Sequence, residues 1–397
     1  MDRGTLPEWA EWRFSGDEFS VGLEEEAMLL DPVDWGLAQL FDTVEPRLSP
    51  ELASTLSAET HRAAAEFKTS AHARAADVAA ELADLQRWLT DELADVGLAA
   101  AGSGTHPFST WEETQVSHGR RYRYVHETMR ELARREPTYA LHVHVAVPDP
   151  ELAVAAANRM RAHLPVLLAL SANSPFWQGR DSGMASARTP IFQAFPRVGI
   201  PRQWSDYGDY VERLETLVTC GAFPDPSFVW WDLRLQPTLG TIEVRVMDAQ
   251  SDINRTAALA ALVQALVRLE ALEGYAAPEL VGALELLEEN RFIAARDGVD
   301  AELLDPVARR AVPVREVVER LLEAARPHAA DLAAEAELDA IEELLAEPAA
   351  ALQRELAGPE HDLRRLVAAL AERFSSSRRS EAADRPPARS AAPRRSP

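Results

Sequence analysis

Residues 21–32 read VGLEEEAMLLDP. Three glutamates, Glu24, Glu25 and Glu26, interrupt an otherwise apolar run. No Pro or Gly lies between Leu23 and Leu30, and Asp31-Pro32 closes the run as a turn signal. The pattern predicts a strand, with a short helix as the alternative. On a strand, Val21, Leu23, Glu25, Ala27 and Leu29 share one face; Gly22, Glu24, Glu26, Met28 and Leu30 share the other. Glu24 and Glu26 then project together, roughly 6.6 Å apart at the backbone. Two bare carboxylates at that spacing repel by roughly 2–3 kcal/mol at an effective dielectric of about 20. Water on an open edge relieves that cost, and so does a cation held between them. This stretch alone leaves both readings open.

Three further strand-like pieces repeat the pattern. In TYALHVHVAVPD (138–149), Leu141, Val143, Val145 and Val147 form an apolar face, with His142 and His144 on the other. Two imidazoles at i and i+2 can share a metal or grip phosphate, or make an ordinary polar pair. In GTIEVRVMD (240–248), Glu243 and Arg245 oppose Ile242, Val244 and Val246. They read either as a cross-strand salt-bridging surface or as a metal carboxylate beside a phosphate-holding arginine. In AEFKTS (65–70), Glu66 and Lys68 repeat that carboxylate–cation arrangement. Together these strands suggest a sheet whose polar face carries Glu24, Glu26, Glu66, His142, His144, Glu243 and Arg245. Carboxylates and imidazoles without thiolates favour Mg²⁺ or Mn²⁺ over structural zinc.

Composition sets outer limits. The 397 residues are 47% hydrophobic and 26% charged, as expected for a globular, soluble protein. No 18-residue apolar run and no apolar signal core appear, so neither a membrane span nor export is expected. One cysteine, Cys220, excludes an internal disulfide, suits a reducing cytoplasm, and is expected to be buried. A net charge of −23 disfavours nonspecific nucleic-acid binding.

Helices are expected over 69–97, 150–171, 205–219 and 255–275. Almost everything from 278 to 373 also reads as helix, broken near Pro306, Pro313, Pro327, Pro348 and Pro359. Strands are expected over Ala65–Thr69, Leu98–Ala101, Tyr139–Val147, Val229–Leu235 and Thr241–Met247. Without a regular βαβ rhythm this mixture predicts an α+β fold with a helical C-terminal third. Residues 1–374 read as a single catalytic domain. Residues 375–397, rich in Ser, Pro and Arg, read as a disordered tail. There is no GxxxxGK[ST] or GxGxxG loop, and Gly102-Ser103-Gly104 is too short to count as one. A nucleotide, if used, must be held by a metal-lined sheet.

The chain resembles the type 2 glutamate–cysteine ligase family, carboxylate–amine ligases related in fold to glutamine synthetase. The resemblance rests on VGLEEEAMLLDP, AGSGTHPF, ALHVHVAVPD, LLALSANSPFWQGRDSGMASAR, IFQAFPRVG and WWDLRLQPTLGTIEVRVMD, in family order over residues 20 to 375. It implies a curved, mainly antiparallel sheet lining the active site with helices outside. It also implies ATP, Mg²⁺ (or Mn²⁺) and a cytoplasmic homodimer. The implied reaction phosphorylates the γ-carboxylate of L-glutamate, and the amine of L-cysteine then displaces phosphate. The resemblance makes Glu24, Glu26, Glu66, Glu243 and His142 metal ligands, with Glu59 a further acidic position. Arg245, Glu243 and Arg234 become catalytic residues; His142, His144, Arg180 and Arg188 contact nucleotide or substrate. Ala146 departs from the glycine usual after HVHV, and Lys68 has no family role. Glu25 carries no role; if buried, it needs a partner such as an arginine. Three alternatives stay open: the same chemistry on another amine or acid, phosphoryl transfer to a different acceptor, and a catalytically silent nucleotide- or metabolite-binding regulator.

Overall fold

Val21–Leu30 forms β1, the central strand of a seven-stranded sheet in the computed structural model, which describes residues 6–135 and 137–376. The other strands are β2 (Leu56–Ala58), β3 (Ala64–Lys68), β4 (Ala99–Ala101), β5 (Ala140–Ala146), β6 (Leu233–Gln236) and β7 (Thr241–Asp248). Their order is β6-β7-β5-β1-β3-β2, with β4 pairing the far end of β1, and every pairing is antiparallel. The α+β expectation therefore holds, down to the antiparallel sheet.

Parity along β1 divides its side chains as alternation requires. Val21, Leu23, Ala27 and Leu29 join the main apolar core, while Met28 and Leu30 belong to a second apolar cluster on the opposite side. The helix α5 (Ile253–Leu272) is apolar almost all round, as a helix enclosed on all sides must be. It contacts α1 (Ala75–Asp95), α3 (Pro150–Met160), α7 (Val314–Asp331), β1 and β5. Asp252 starts it by accepting from the Asn254 N–H. No helix among the described residues is long and apolar enough to cross a membrane.

Glu25 points into this core and is almost fully buried. Its partners are neutral, not an arginine: Gln86 Nε2, the Gln250 N–H and Thr256 Oγ1 all donate to it, at 2.8, 3.1 and 3.1 Å. Burial raises its pKa to about 7 against the pull of these hydrogen bonds.

Several expectations need correction. The C-terminal third contains a β-hairpin, Glu302–Asp305 with Arg310–Pro313, where only helix broken near Pro306 and Pro313 was expected. The expected break at Pro306 falls in its loop, which holds Arg309 at φ +53°, a left-handed conformation. Pro327 lies inside α7 and does not end it. The Val229–Leu235 piece is two strands, Trp230–Trp231 and Leu233–Gln236. Asp232, between them, turns to pair with Arg291. Cys220 is exposed, at the C-cap of helix Tyr207–Thr219. From Ser377 onward the expected tail lies outside the described residues.

Candidate active site

Register brings the polar faces of five strands together. Glu24 lies opposite Lys68 on one side and His142 on the other, and Glu26 lies opposite Glu66. His144 is paired with Glu243, and Glu243 with Arg234. Glu24, Glu26, Glu66, Lys68, His142 and Arg234 line a cleft of about 280 Å³ together with Glu59, Arg121, Tyr122, Arg188, Phe192, Phe195, Trp230 and Arg245.

Three overlapping donor sets result, each with its ligand atoms within 4.8 Å of one another. They are Glu24/His144/Glu243, Glu24/Glu66/His142 and Glu26/Glu59/Glu66. In the first, His144 Nε2 is buried without a hydrogen-bond partner, 3.7 Å from Glu24 Oε2 and 3.9 Å from Glu243 Oε1. A buried, unpaired ring nitrogen facing two carboxylates is the lone-pair arrangement that a cation satisfies. The set is oxygen-rich with one imidazole and no thiolate, so its chemistry fits Mg²⁺ or Mn²⁺.

The electrostatics show what crowding these groups costs. Burial raises the pKa of Glu26 to about 8, with the charge of Glu66 adding to the effect. Burial, Glu66 and Glu26 likewise hold the Glu59 carboxyl well above the usual range. Glu24 goes the other way: burial opposes its charge, but the hydrogen bond to His142 and the nearby His144 ring outweigh it. Burial, then Arg245, pushes His142 down to about 3. Burial also works against charge on His144, yet Glu243 and Glu24 raise its pKa. In the absence of a metal, that corner of the site draws positive charge.

Arginines close the opposite side. Arg234 Nε and Nη2 and Arg245 Nη1 donate to the fully buried Glu243, and Gln236 Nε2 adds a bond of 2.8 Å. Arg188 Nη1 and Nη2 reach the carbonyls of Val246 and Arg245, both at 3.2 Å. The Nε atoms of Arg188 and Arg245 are buried and unpartnered.

A model of the glutamate–cysteine ligase family 2 matches residues 20–369. The chain belongs to that family. It is, with its family, a ligase that joins carbon to nitrogen. A protein of Rubrobacter xylanophilus provisionally named glutamate–cysteine ligase 2-3 is 40% identical, over 89% of this chain and 96% of its own length. One from Sorangium cellulosum, provisionally named glutamate–cysteine ligase 2, is 36% identical over 86% of this chain and 91% of its own. Among solved structures, the glutamate–cysteine ligase of Francisella tularensis in complex with AMP shares the fold at a TM-score of 0.68. It is 10% identical, over 92% of this chain and 90% of that one. A bifunctional glutathione synthetase of Pasteurella multocida also superposes at 0.68, with 15% identity, over 90% of this chain and 52% of its own.

Most of the residues expected at this ligase's site converge there: Glu24, Glu26, Glu66, His142, His144, Arg188, Arg234, Glu243 and Arg245. Arg180 does not. It is exposed on the short hairpin Phe176–Trp177/Arg180–Asp181, away from the cleft's lining residues. Among the liners that carried no sequence signal are Ser57, which donates to Glu66 Oε1 at 2.8 Å, and Arg121 and Tyr122 from α2 (Arg120–Met129). The glycines of AGSGTHPF also acquire a reason. A methyl on Gly102 would lie 2.0 Å from Gln250 O, and one on Gly104 2.5 Å from the Asp248 carboxyl carbon. They permit close packing of the loop against Gln250 and Asp248.

Proposed function

We propose that this chain is an ATP-dependent carboxylate–amine ligase that joins the γ-carboxylate of L-glutamate to the amine of L-cysteine. The reading rests on one observation: three cation-donor sets lie together with the arginines 188, 234 and 245 in a member of this family. A free carboxylate does not acylate an amine, because its leaving group would be oxide. Phosphorylation by ATP makes that leaving group phosphate. Bound Mg²⁺ or Mn²⁺ would neutralise phosphate oxygens and the charge that develops between them.

The chain's own residues have separable tasks. Glu24, His144 and Glu243 would hold one ion, and Glu26, Glu59 and Glu66 another. Arg234 keeps Glu243 ionised and fixed in place. Arg245, bonded to Glu243 and aimed into the cleft, stabilises charge on the phosphoryl group in transfer. Arg188 supplies a buried positive charge to a substrate carboxylate or a phosphate, braced by the Val246 and Arg245 carbonyls. The reading extends to a homodimer in the cytoplasm, which light scattering of the purified protein tests for oligomeric state.

The deciding experiment supplies ATP, Mg²⁺, L-glutamate and a panel of amines, and follows ADP release and product mass. Amine-dependent ADP release with a γ-glutamylcysteine mass is the expected result. A different amide identifies another amine. A phosphorylated acceptor would point to the alternative transfer chemistry. No amine-dependent ADP release across the panel sinks the ligase reading.

A further inference from the structure

We infer that Lys68 is the resident cation of the middle donor set, its ammonium taking the position between Glu24 and Glu66 and leaving divalent ions the two outer sets. The inference deepens the proposed reading of this face as a cation-holding ligase site and rests on it. Lys68 is the one lysine in the sequence; every other Lys/Arg position is arginine. A chain that uses guanidinium elsewhere uses ammonium here.

Register places Lys68 directly opposite Glu24 on the neighbouring strand. Its Nζ lies 3.0 Å from Glu66 Oε1 and 3.9 Å from Glu24 Oε1. These two carboxylates, with His142, form the middle set. It shares Glu24 with Glu24/His144/Glu243 and Glu66 with Glu26/Glu59/Glu66.

The oxygens divide accordingly. Glu24 gives Oε1 to Lys68 and turns Oε2 toward His142 and His144, at 3.3 and 3.7 Å. Glu66 uses Oε1 for both Lys68 and Ser57 Oγ, which leaves its other oxygen to the Glu26/Glu59 side. Each shared carboxylate therefore keeps one oxygen for an outer set.

An ammonium is a compact point charge with three donors, close in character to a bound ion. A guanidinium is a planar fork that would not fit one point between two carboxylates in the same way. A divalent ion entering the middle set would face the like charge of Nζ. Lys68 is thus a positioning residue: it acts through Glu24 and Glu66, setting how many ions the face takes. Its side chain is half exposed, so replacing it opens no core cavity.

The test is equilibrium dialysis of the full chain against Mn²⁺, with bound metal counted by elemental mass spectrometry. Wild type is compared with Lys68→Met, and with Lys68→Gln as a second neutral replacement should Lys68→Met fail to fold. About two Mn²⁺ per wild-type chain and about one more on the neutral variant are expected. Equal, nonzero loading of wild type and the neutral variant overturns the inference and leaves the ligase reading standing. Loading of about three ions on wild type does the same. No Mn²⁺ on any of the proteins overturns the cation reading of the face itself.

Discussion

Arg245 and Glu243, two residues apart on one strand, pair through Nη1 and Oε1, while Arg234 holds the other oxygen of the same carboxylate. Glu243 has no solvent exposure, and its pKa is depressed far below the usual range. Burial alone would raise it; Arg234 and Arg245 outweigh that. Removing the carboxylate leaves two largely buried cations facing each other. Glu243→Ala should therefore destabilise the protein by about 3–5 kcal/mol in urea unfolding. Arg245→Ala should cost clearly less, because Arg234 still answers the charge. Equal costs would mean that the two arginines do not share Glu243 as the geometry indicates.

The same Arg245→Ala variant separates binding from chemistry. If Arg245 acts on the group in transfer, kcat should fall by about 100-fold or more while nucleotide affinity changes little. Steady-state ADP release and nucleotide titration measure the two quantities. A loss confined to affinity would make Arg245 a binding residue.

Glu26 gives a prediction in pH. Its folded pKa, raised to about 8, exceeds the ordinary 4.5 because it is buried beside Glu66. A carboxyl raised in the fold contributes stability that is fully present below about 4.5 and is lost as pH rises through about 8. Without metal, wild type should therefore lose stability between those limits. Glu26→Gln, which still accepts from the Ala140 N–H, should lose a few kcal/mol less over that window. Mn²⁺ should restore wild type at pH 8 and act weakly on the variant, whose turnover should be abolished. Parallel stability curves for the two proteins would remove Glu26 from the crowded carboxylate set.

Much of this site is legible from parity. Strand alternation puts Glu24 and Glu26 on one face, and the same rule aligns Glu66, His142, His144, Glu243 and Arg245. Parity fails where a contact depends on distant register or packing. Gln86, Gln250 and Thr256, which satisfy Glu25, lie 61, 225 and 231 residues from it. No local pattern could replace the expected arginine with them. Lys68 is visible in the sequence, yet its meaning appears only once β3 is registered against Glu24. Arg180 shows the reverse: it sits in a matching motif, but a two-residue hairpin carries it to the surface.

His106 predicts the acid limb. Its Nε2 lies 2.9 Å from Trp35 O, and its Nδ1 accepts from the Ser109 N–H at 2.9 Å. Burial pushes its pKa down to about 4. The neutral ring is the one the fold prefers, so this stability is present above about 6.5 and lost as pH falls toward 4. Its full contribution is about 3 kcal/mol. Buried carboxylates such as Glu26 move the opposite way, so the readout is a difference. The stability gap between wild type and His106→Gln should shrink as pH falls from 7 to 4. A gap independent of pH would mean that His106 does not titrate in this window.

Gly102 tests whether the AGSGTHPF loop is a packing device. A methyl there would lie 2.0 Å from Gln250 O, well inside any tolerable contact. The backbone it would displace is the one whose N–H donates to Glu25, and Gln250 Nε2 also bonds Ser171 O and Asp248 O. Gly102→Ala should therefore cost about 3 kcal/mol, through overlap and a loosened Glu25 network. Gly22→Ala is the control. It sits in β1, where the added carbon meets only Ser70 O at an ordinary 3.8 Å, and it should cost little or stabilise. Both are read by urea unfolding at pH 7. If the two substitutions cost the same, the loop yields to the methyl and close packing is not why glycine occupies position 102.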